Sequence, residues 1–593
     1  MTLQTTLIAA ALCATVSTPA YAFNARLEGD ATEAMRGRLS SASAILEAER
    51  DGTTEPSDII AAVQSDYRTL LGTLYRSGYY APVIRISVDG REGSTLSLIT
   101  LPNSVEDIVI SVNTGDKFTF KTTTVAPLAP QTELPAGFST GQTAKSGEIG
   151  AAKDSAIDAW RAASYPKAAL SSQSIVADHN TKTLDVALGI APGPKAVFGQ
   201  LSFSGTKRVS QERLTEITGE IEGKAFNPET LETAAARLRK TGAFRSVAIS
   251  EAETLNPDGS LDVTATVTDA APRRVGFGAE INSLEGGTLS AYFMHRNISG
   301  NADRLRFDAE VAGLGSDTGI DYTVSTTYRR PATTRPVLAL VAEAELARID
   351  ESNYLSTSAT VSVSAEVTLS DTTYFIGGVG YRYSDVSDDL GDRTFSHFIL
   401  PIEGARDSRN NALNPTSGTY FAAEIMPFIG FSGSATGGRL FADMRGYKGF
   451  GDDDRFVLAG RFMVGSIIGS DVTETPPDLL FYSGGGGTVR GQPYQSLDVD
   501  LDDDTSTGGA SFIGLSTELR AGITDNISLV GFADVGGIGE NATPDDAMNW
   551  HAGAGLGLRY DTGFGPIRLD IAAPISGTTG DGVQFYVGIG QAF

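Results

Sequence analysis

From residue 272 to the last residue, apolar and polar side chains alternate with a period of two in one short stretch after another. In the first stretch Val275, Phe277, Ala279 and Ile281 share one face, and Arg274 and Glu280 share the other. Leu305, Phe307, Ala309 and Val311 oppose Arg304, Arg306, Asp308 and Glu310; Val361, Val363, Ala365, Val367 and Leu369 oppose Ser362, Ser364, Glu366 and Thr368; Ile567, Leu569 and Ile571 oppose Arg568 and Asp570. A period of two is that of an extended strand. Sixteen strands are expected, near 273–282, 288–297, 303–313, 319–329, 335–349, 355–369, 372–383, 395–404, 417–428, 437–448, 455–468, 510–522, 526–536, 549–560, 565–573 and 582–593. The strands of a soluble sandwich alternate too, but this many in one run would overfill a sandwich. The favoured reading is a closed barrel, apolar outside and polar within. No stretch beyond the first 22 residues offers the roughly 18 continuous apolar residues of a membrane helix, and a closed barrel is the other way to satisfy every backbone group in lipid.

Residues 23–271 read differently, as helices alternating with short strands. Ile59 to Arg76 has apolar residues at helical spacing, ends at Ser77-Gly78-Tyr79-Tyr80, and leads into the strand 83–86 and then 96–99. Pro228 to Lys240 repeats the pattern, ending at Thr241-Gly242-Ala243-Phe244 before strands 247–249 and 261–267. Between them, Ala151 to Ala163 precedes Ser164-Tyr165-Pro166 and the strand 184–188. A glycine caps each clear helix in the left-handed conformation, and the aromatic after it packs the helix on its sheet.

Composition narrows the class. Acidic residues outnumber basic ones 72 to 46, for a formal charge of −26, which disfavours nucleic acid as a partner. Glycine, at 67 residues, is more frequent than in average chains, as many turns and kinked strands require. The single cysteine, Cys13, excludes a disulfide framework and a cysteine-based zinc site. It lies in an apolar run, Leu7 to Val16, followed by Ala20-Tyr21-Ala22. Residues 1–22 thus read as a secretory signal peptide cut before Phe23.

Several motifs then point one way. The helix, small residue-Gly-aromatic, strand pattern resembles the POTRA (polypeptide-transport-associated) module, with three copies expected at 23–103, 104–195 and 196–271. The third opens with Phe198-Gly199-Gln200-Leu201-Ser202-Phe203-Ser204-Gly205. The longest gap between strands, 469–509, contains Phe481-Tyr482-Ser483-Gly484-Gly485-Gly486-Gly487-Thr488-Val489-Arg490-Gly491. This closely resembles the VRGY/F signature of the outer-membrane protein insertase superfamily. Gln492 stands where that family usually has an aromatic, and Tyr494 follows two residues later. Asp407-Ser408-Arg409, with Leu413, Pro415 and Gly418, resembles the family's D-x-R…L-x-P-x-x-G turn. Phe532-Ala533-Asp534-Val535-Gly536 resembles its F-x-D-x-G strand, and the C-terminal residues ending in Phe593 have the form of its last strand and sorting signal.

The resemblance implies α+β POTRA modules followed by a 16-stranded antiparallel transmembrane β-barrel at 272–593, in the bacterial outer membrane with the modules in the periplasm. Three modules resemble a TamA-type subunit of the translocation and assembly module. That implies a TamB-like periplasm-spanning partner, unfolded outer-membrane protein and autotransporter clients, contact with outer-membrane lipids, and no enzyme activity or cofactor. The other reading is a two-partner secretion channel or passive pore, which large steady conductance would distinguish.

Two sites are expected. Ile527, Leu529, Ala533 and Val535 take the outer face of their strand, so Asp534 points inward, where a loop folded back into the lumen would bring Arg490 against it. Arginine suits this because its planar fork bonds a carboxylate bidentately. The second site is a lateral seam between the first and last strands, weakened by Gly588 and Gly590. The scattered His179, His295, His397 and His551 hold no metal-site spacing. The acidic run 498–504 lacks the glycine and closing glutamate of a calcium loop. No phosphate-loop or serine-hydrolase motif is present.

Overall fold

The computed structural model describes residues 23–593, apart from 100, 283–285, 316–318, 503–504, 564 and 581. The expected signal segment 1–22 lies outside the described residues. The chain forms two compact units, one holding the first two small sheets and the other holding a large sheet with most of the third.

In the first unit, helices α1 (Glu33–Ala42), α2 (Ala44–Arg50) and α3 (Pro56–Arg76) cover a sheet ordered Asn24–Gly29, Asp107–Asn113, Val83–Val88, Arg91–Glu92. Leu39, Ile45, Ile60, Val63, Leu70 and Leu74 pack there against Ile86, Ile108, Ile110 and Val112. Proline at its first turn opens α3, and Gly78, at φ +91°, closes it. Asp66 of α3 is buried and caps α2. Its carboxylate accepts from the Ser43 hydroxyl at 2.5 Å and from the backbone N–H groups of Ala44 and Ile45 at 2.7 and 3.3 Å. Burial raises the Asp66 pKa, and these donors oppose the rise. The expected strand at 96–99 is not one, since Leu98 and Ile99 are exposed. The sheet takes Asp107–Asn113 instead, because only that segment offers three buried aliphatics in alternation beside the parallel strand Asn24–Gly29. The first α/β unit therefore runs past residue 103. The next packs α4 (Ser146–Ala162) on a sheet ordered Thr119–Ala126, Thr183–Ala191, Ala169–Asp178.

In the second unit, α5 (Gln211–Thr218) and α6 (Pro228–Lys240) lie with the sheet Val197–Ser204, Ser260–Asp269, Phe244–Glu251. Their core includes Ala302 and Ala332 from turns of the large sheet. The Arg213 guanidinium, buried on α5, donates to the carbonyls of Ala332 and Asn301, both at 3.0 Å, and to that of Pro331. Two turns thus plug into the third α/β unit.

Among the described residues the large sheet has sixteen antiparallel strands in chain order. They are β1 (Arg273–Asn282), β2 (Gly286–Arg296), β3 (Arg304–Leu314), β4 (Asp321–Arg330), β5 (Leu338–Asp350), β6 (Tyr354–Ser370), β7 (Thr373–Asp388), β8 (Gly391–Ile399 and Ile402–Asp407), β9 (Ser417–Phe431), β10 (Gly437–Phe450), β11 (Phe456–Ile468), β12 (Ser511–Gly522), β13 (Ile527–Gly539), β14 (Asn549–Tyr560), β15 (Ile567–Ser576) and β16 (Gln584–Ile589). The two pieces of β8 pair with the same neighbours, β7 and β9, and part at Leu400-Pro401, where proline has no N–H to give the ladder. The outer face carries exposed Val275, Phe277, Val361, Val363, Leu458 and Leu556, while the inner face buries Asp443, Glu518, Asp534 and Asp570. Strand β16 has six residues against seventeen in β6, and it pairs with β15. It also touches β1, although no ladder joins the two among the described residues.

Candidate functional site: a loop latched inside the barrel

The loop between β11 and β12, 469–510, leaves on the side away from the third α/β unit and turns back into the barrel. Its base is apolar: Leu479, Leu480, Phe481, Leu497 and Val499 pack against Met463, Ile467, Phe512 and Ile538. Ser483 and Leu497 exchange backbone hydrogen bonds at 3.1 and 2.9 Å and close the neck of the tip. Within the tip, Gly484 and Gly491 have φ of +118° and +93° and are packed so closely that a Cβ would meet carbonyl oxygens of Pro493 and Ala573. Only glycine follows this path.

Arg490 enters a cluster of three carboxylates. Its Nε and Nη2 donate to Asp534 at 2.7 and 3.0 Å, and its backbone N–H donates to the same carboxylate at 3.1 Å. Nη1 reaches Glu518 at 2.7 Å and Asp570 at 3.2 Å. The guanidinium lies 3.6 Å from the centre of the Phe532 ring. The Arg490 side chain is 3% exposed, and those of its three partners 1% or less. Burial of this kind is tolerated only when every charge is matched. Arg520 bonds Glu518 at 2.9 Å, and Arg559 bonds Asp570. The sequence placed Arg490 and Asp534 together. It put Asp570 on the inner face without linking it to the loop, and it missed Glu518, Arg520 and Arg559. Their signal is a charge at an inward position of a strand near β13, which parity alone detects but does not assign to a partner.

The neighbouring motif residues make room for this tip. Val489 is wholly buried. A Cβ on Gly536 would stand 2.2 Å from the Ser483 hydroxyl and 2.8 Å from Val489, and a Cβ on Gly553 would stand 2.0 Å from the Arg490 carbonyl. Gln492 is also fully buried, and its amide bonds backbone carbonyls instead of packing as an aromatic. Tyr494 does not take that aromatic place; its hydroxyl donates to Glu351 beyond β5 at 3.1 Å. In the turn before β9, Arg409 holds Asp407 bidentately at 2.8–2.9 Å, buried Pro415 gives its carbonyl to Arg520 at 3.2 Å, and Gly418 adopts φ +99° against Ser408. In the acidic run, Val499–Asp502 and Thr505–Thr507 form a small hairpin; Asp503 and Asp504 lie outside the described residues.

At the seam the sequence reading needs correction. Gly588 lies in β16 opposite Arg568, but Gly590 lies just past the strand, at φ +93°. There the chain turns inward rather than continuing to 593. The Gly590 N–H donates to Pro566 and the Gln591 N–H to Leu413, and Phe593 packs on Tyr447 and Ala459 inside the barrel. The last aromatic therefore leaves the seam. A terminal phenylalanine is as apolar in a lumenal niche as on a lipid face, so pattern alone does not separate the two.

A family model described as the Omp85 superfamily domain matches residues 297–593, and one described as a surface antigen variable number repeat (POTRA) matches 196–269. Among solved structures, BamA from Haemophilus ducreyi lacking POTRA domains 1–3 is 17% identical at a TM-score of 0.60, covering 79% of this chain and 99% of its own. CdiB from Acinetobacter baumannii is 14% identical at a TM-score of 0.49, covering 79% and 88%. CdiB from Escherichia coli is 14% identical at 0.45, covering 90% and 99%.

Proposed function

Because this chain belongs to the Omp85 superfamily, an outer-membrane barrel with POTRA modules in the periplasm, we propose that it is an assembly and translocation factor that inserts or exports outer-membrane and autotransporter proteins through the seam between β1 and β16. The observation that carries the reading is the seam. Strand β16 is the shortest of the sixteen and is laddered to β15, while its other edge faces β1 without a described ladder. Once so short a seam parts, the edge it frees offers a row of backbone donors and acceptors, and an incoming client strand satisfies them by β-augmentation. The inner space of the barrel is occupied by the loop tip, whose Arg490 bonds β12, β13 and β15, and by the inturned Phe593 against β10 and β11, which favours lateral release over flow through an open pore. The factor is not an enzyme in this reading. The three α/β units ahead of the barrel support a TamA-type subunit working with a TamB-like periplasm-spanning partner, in contact with outer-membrane lipids. The test is site-specific crosslinking from Val275 or Phe277 in β1 to a stalled client. A crosslinked client strand supports the proposal. Crosslinks absent at the seam, together with large steady conductance without client, would establish the pore instead.

A further inference from the structure

The loop tip holds more than the acidic cluster. Its three consecutive residues Arg490, Gly491 and Gln492 each bond the last hairpin, β15–β16, which forms one wall of the seam. Arg490 reaches Asp570 of β15 at 3.2 Å. The Gly491 N–H donates to the Tyr586 hydroxyl of β16 at 2.9 Å. The Gln492 amide nitrogen donates to the carbonyls of Ala552 in β14 and Ser576 in β15, at 2.9 and 3.0 Å.

The Gln492 contacts fall where the sheet is defective. The β14–β15 register shifts between Ala552 and Gly553, and the residue facing Gly553 is Pro574, which has no N–H. The ladder lacks a donor there, and the Gln492 side chain supplies two. Its remaining polar atom, Oε1, accepts from the Thr579 hydroxyl at 2.9 Å. That donation uses the only hydrogen on Thr579 Oγ1, so at its 2.9 Å contact with His551 Nδ1 the threonine accepts. The neutral His551 ring then carries its proton on Nδ1, and Nε2 accepts from the Ser483 hydroxyl at 2.8 Å. A continuous relay, Ser483–His551–Thr579–Gln492, thus runs from the neck of the loop to the 577–583 turn joining β15 to β16. Packing agrees: a Cβ on Gly580 would stand 2.4 Å from Pro493.

We infer that Gln492 is a positioning residue that serves as a ladder rung for the last hairpin, so that the loop tip and the seam wall open as one coupled element. With the tip seated, β15 and β16 are held to β14 at their outer end. With the tip withdrawn, the bulge at Pro574 has no substitute donor and the hairpin loosens toward the seam. The functional consequence rests on the seam reading proposed above, whereas the coupling itself does not.

The test is hydrogen–deuterium exchange of the full chain in lipid nanodiscs, without client. Gln492→Leu removes both donors and the acceptor, and Gln492→Glu keeps an acceptor but supplies no donor. Both variants are expected to raise exchange in 567–589 by about tenfold, with 273–282 following and the strands far from the seam unchanged. Thr579→Val, outside the ladder defect, is expected to raise it by a smaller factor. Unchanged exchange in 567–589 for Gln492→Leu and Gln492→Glu overturns the inference, as does full protection in Gln492→Glu. If the Gln492 variants lose the heat-modifiable folded form, Thr579→Val decides by the same readout. Coupled exchange with unimpaired client insertion in a seam-locked protein counts against the seam reading and leaves the coupling standing.

Discussion

Arg490→Ala is the sharpest perturbation of the latch. The substitution removes two bonds to Asp534 and one each to Glu518 and Asp570, and leaves three carboxylates that are 1% exposed or less. Arg520 and Arg559 still face Glu518 and Asp570, so Asp534 bears most of the loss. Breaking a buried pair from one side costs about 3–5 kcal/mol. Water admitted to the lumen once the tip shifts lowers that figure toward about 3 kcal/mol. At 1.4 kcal/mol per decade, the lifted fraction of loops rises by about a hundredfold. Arg490→Lys keeps the charge and loses the fork, so it is expected to fall between wild type and alanine. The assay is limited proteolysis of 484–491 in the folded barrel, with heat-modifiable mobility as the control for folding. Wild-type proteolysis rates and wild-type thermal stability in Arg490→Ala would refute the reasoning.

Three further substitutions test other joints. Gly553→Ala places a methyl 2.0 Å from the Arg490 backbone carbonyl and is expected to unseat the tip in the same proteolysis assay without touching a charge. Arg213→Ala leaves the carbonyls of Pro331, Ala332 and Asn301 without their donor and is expected to cost about 2–4 kcal/mol, read as faster exchange in 297–303 and 331–337. Asp66→Ala removes the acceptor of the Ala44 and Ile45 amides at the start of α2, where the Ser43 hydroxyl still accepts from Leu46, and is expected to cost about 2 kcal/mol, read as exchange of the Ala44 and Ile45 amides.

The alternation of Val275, Phe277 and their successors made the barrel legible, because in a barrel one parity always meets the outside and the other the inside. The same parity aimed Asp534 inward, and the glycine run around Arg490 marked a loop able to reach it. What parity does not carry is distance across the lumen. Glu518 and Asp570 join Arg490 only through the register of β12, β13 and β15, which depends on ladders the sequence does not number. Gln492 was legible as a departure from the family pattern but not as a rung, since the need for one arises from Pro574 some eighty residues later. The strand 107–113 was missed for a related reason. Its place in the sheet is decided by parallel pairing with 24–29, a contact that local alternation does not report.

The central claim is that client passage requires β1 and β16 to part. The direct measurement uses one cysteine in 273–282 and one in 584–589, with Cys13 replaced by serine, and compares client insertion into proteoliposomes in the oxidised and reduced states. The account predicts that insertion stops when the disulfide forms and returns on reduction. Insertion at the same rate in the fully oxidised protein would contradict it.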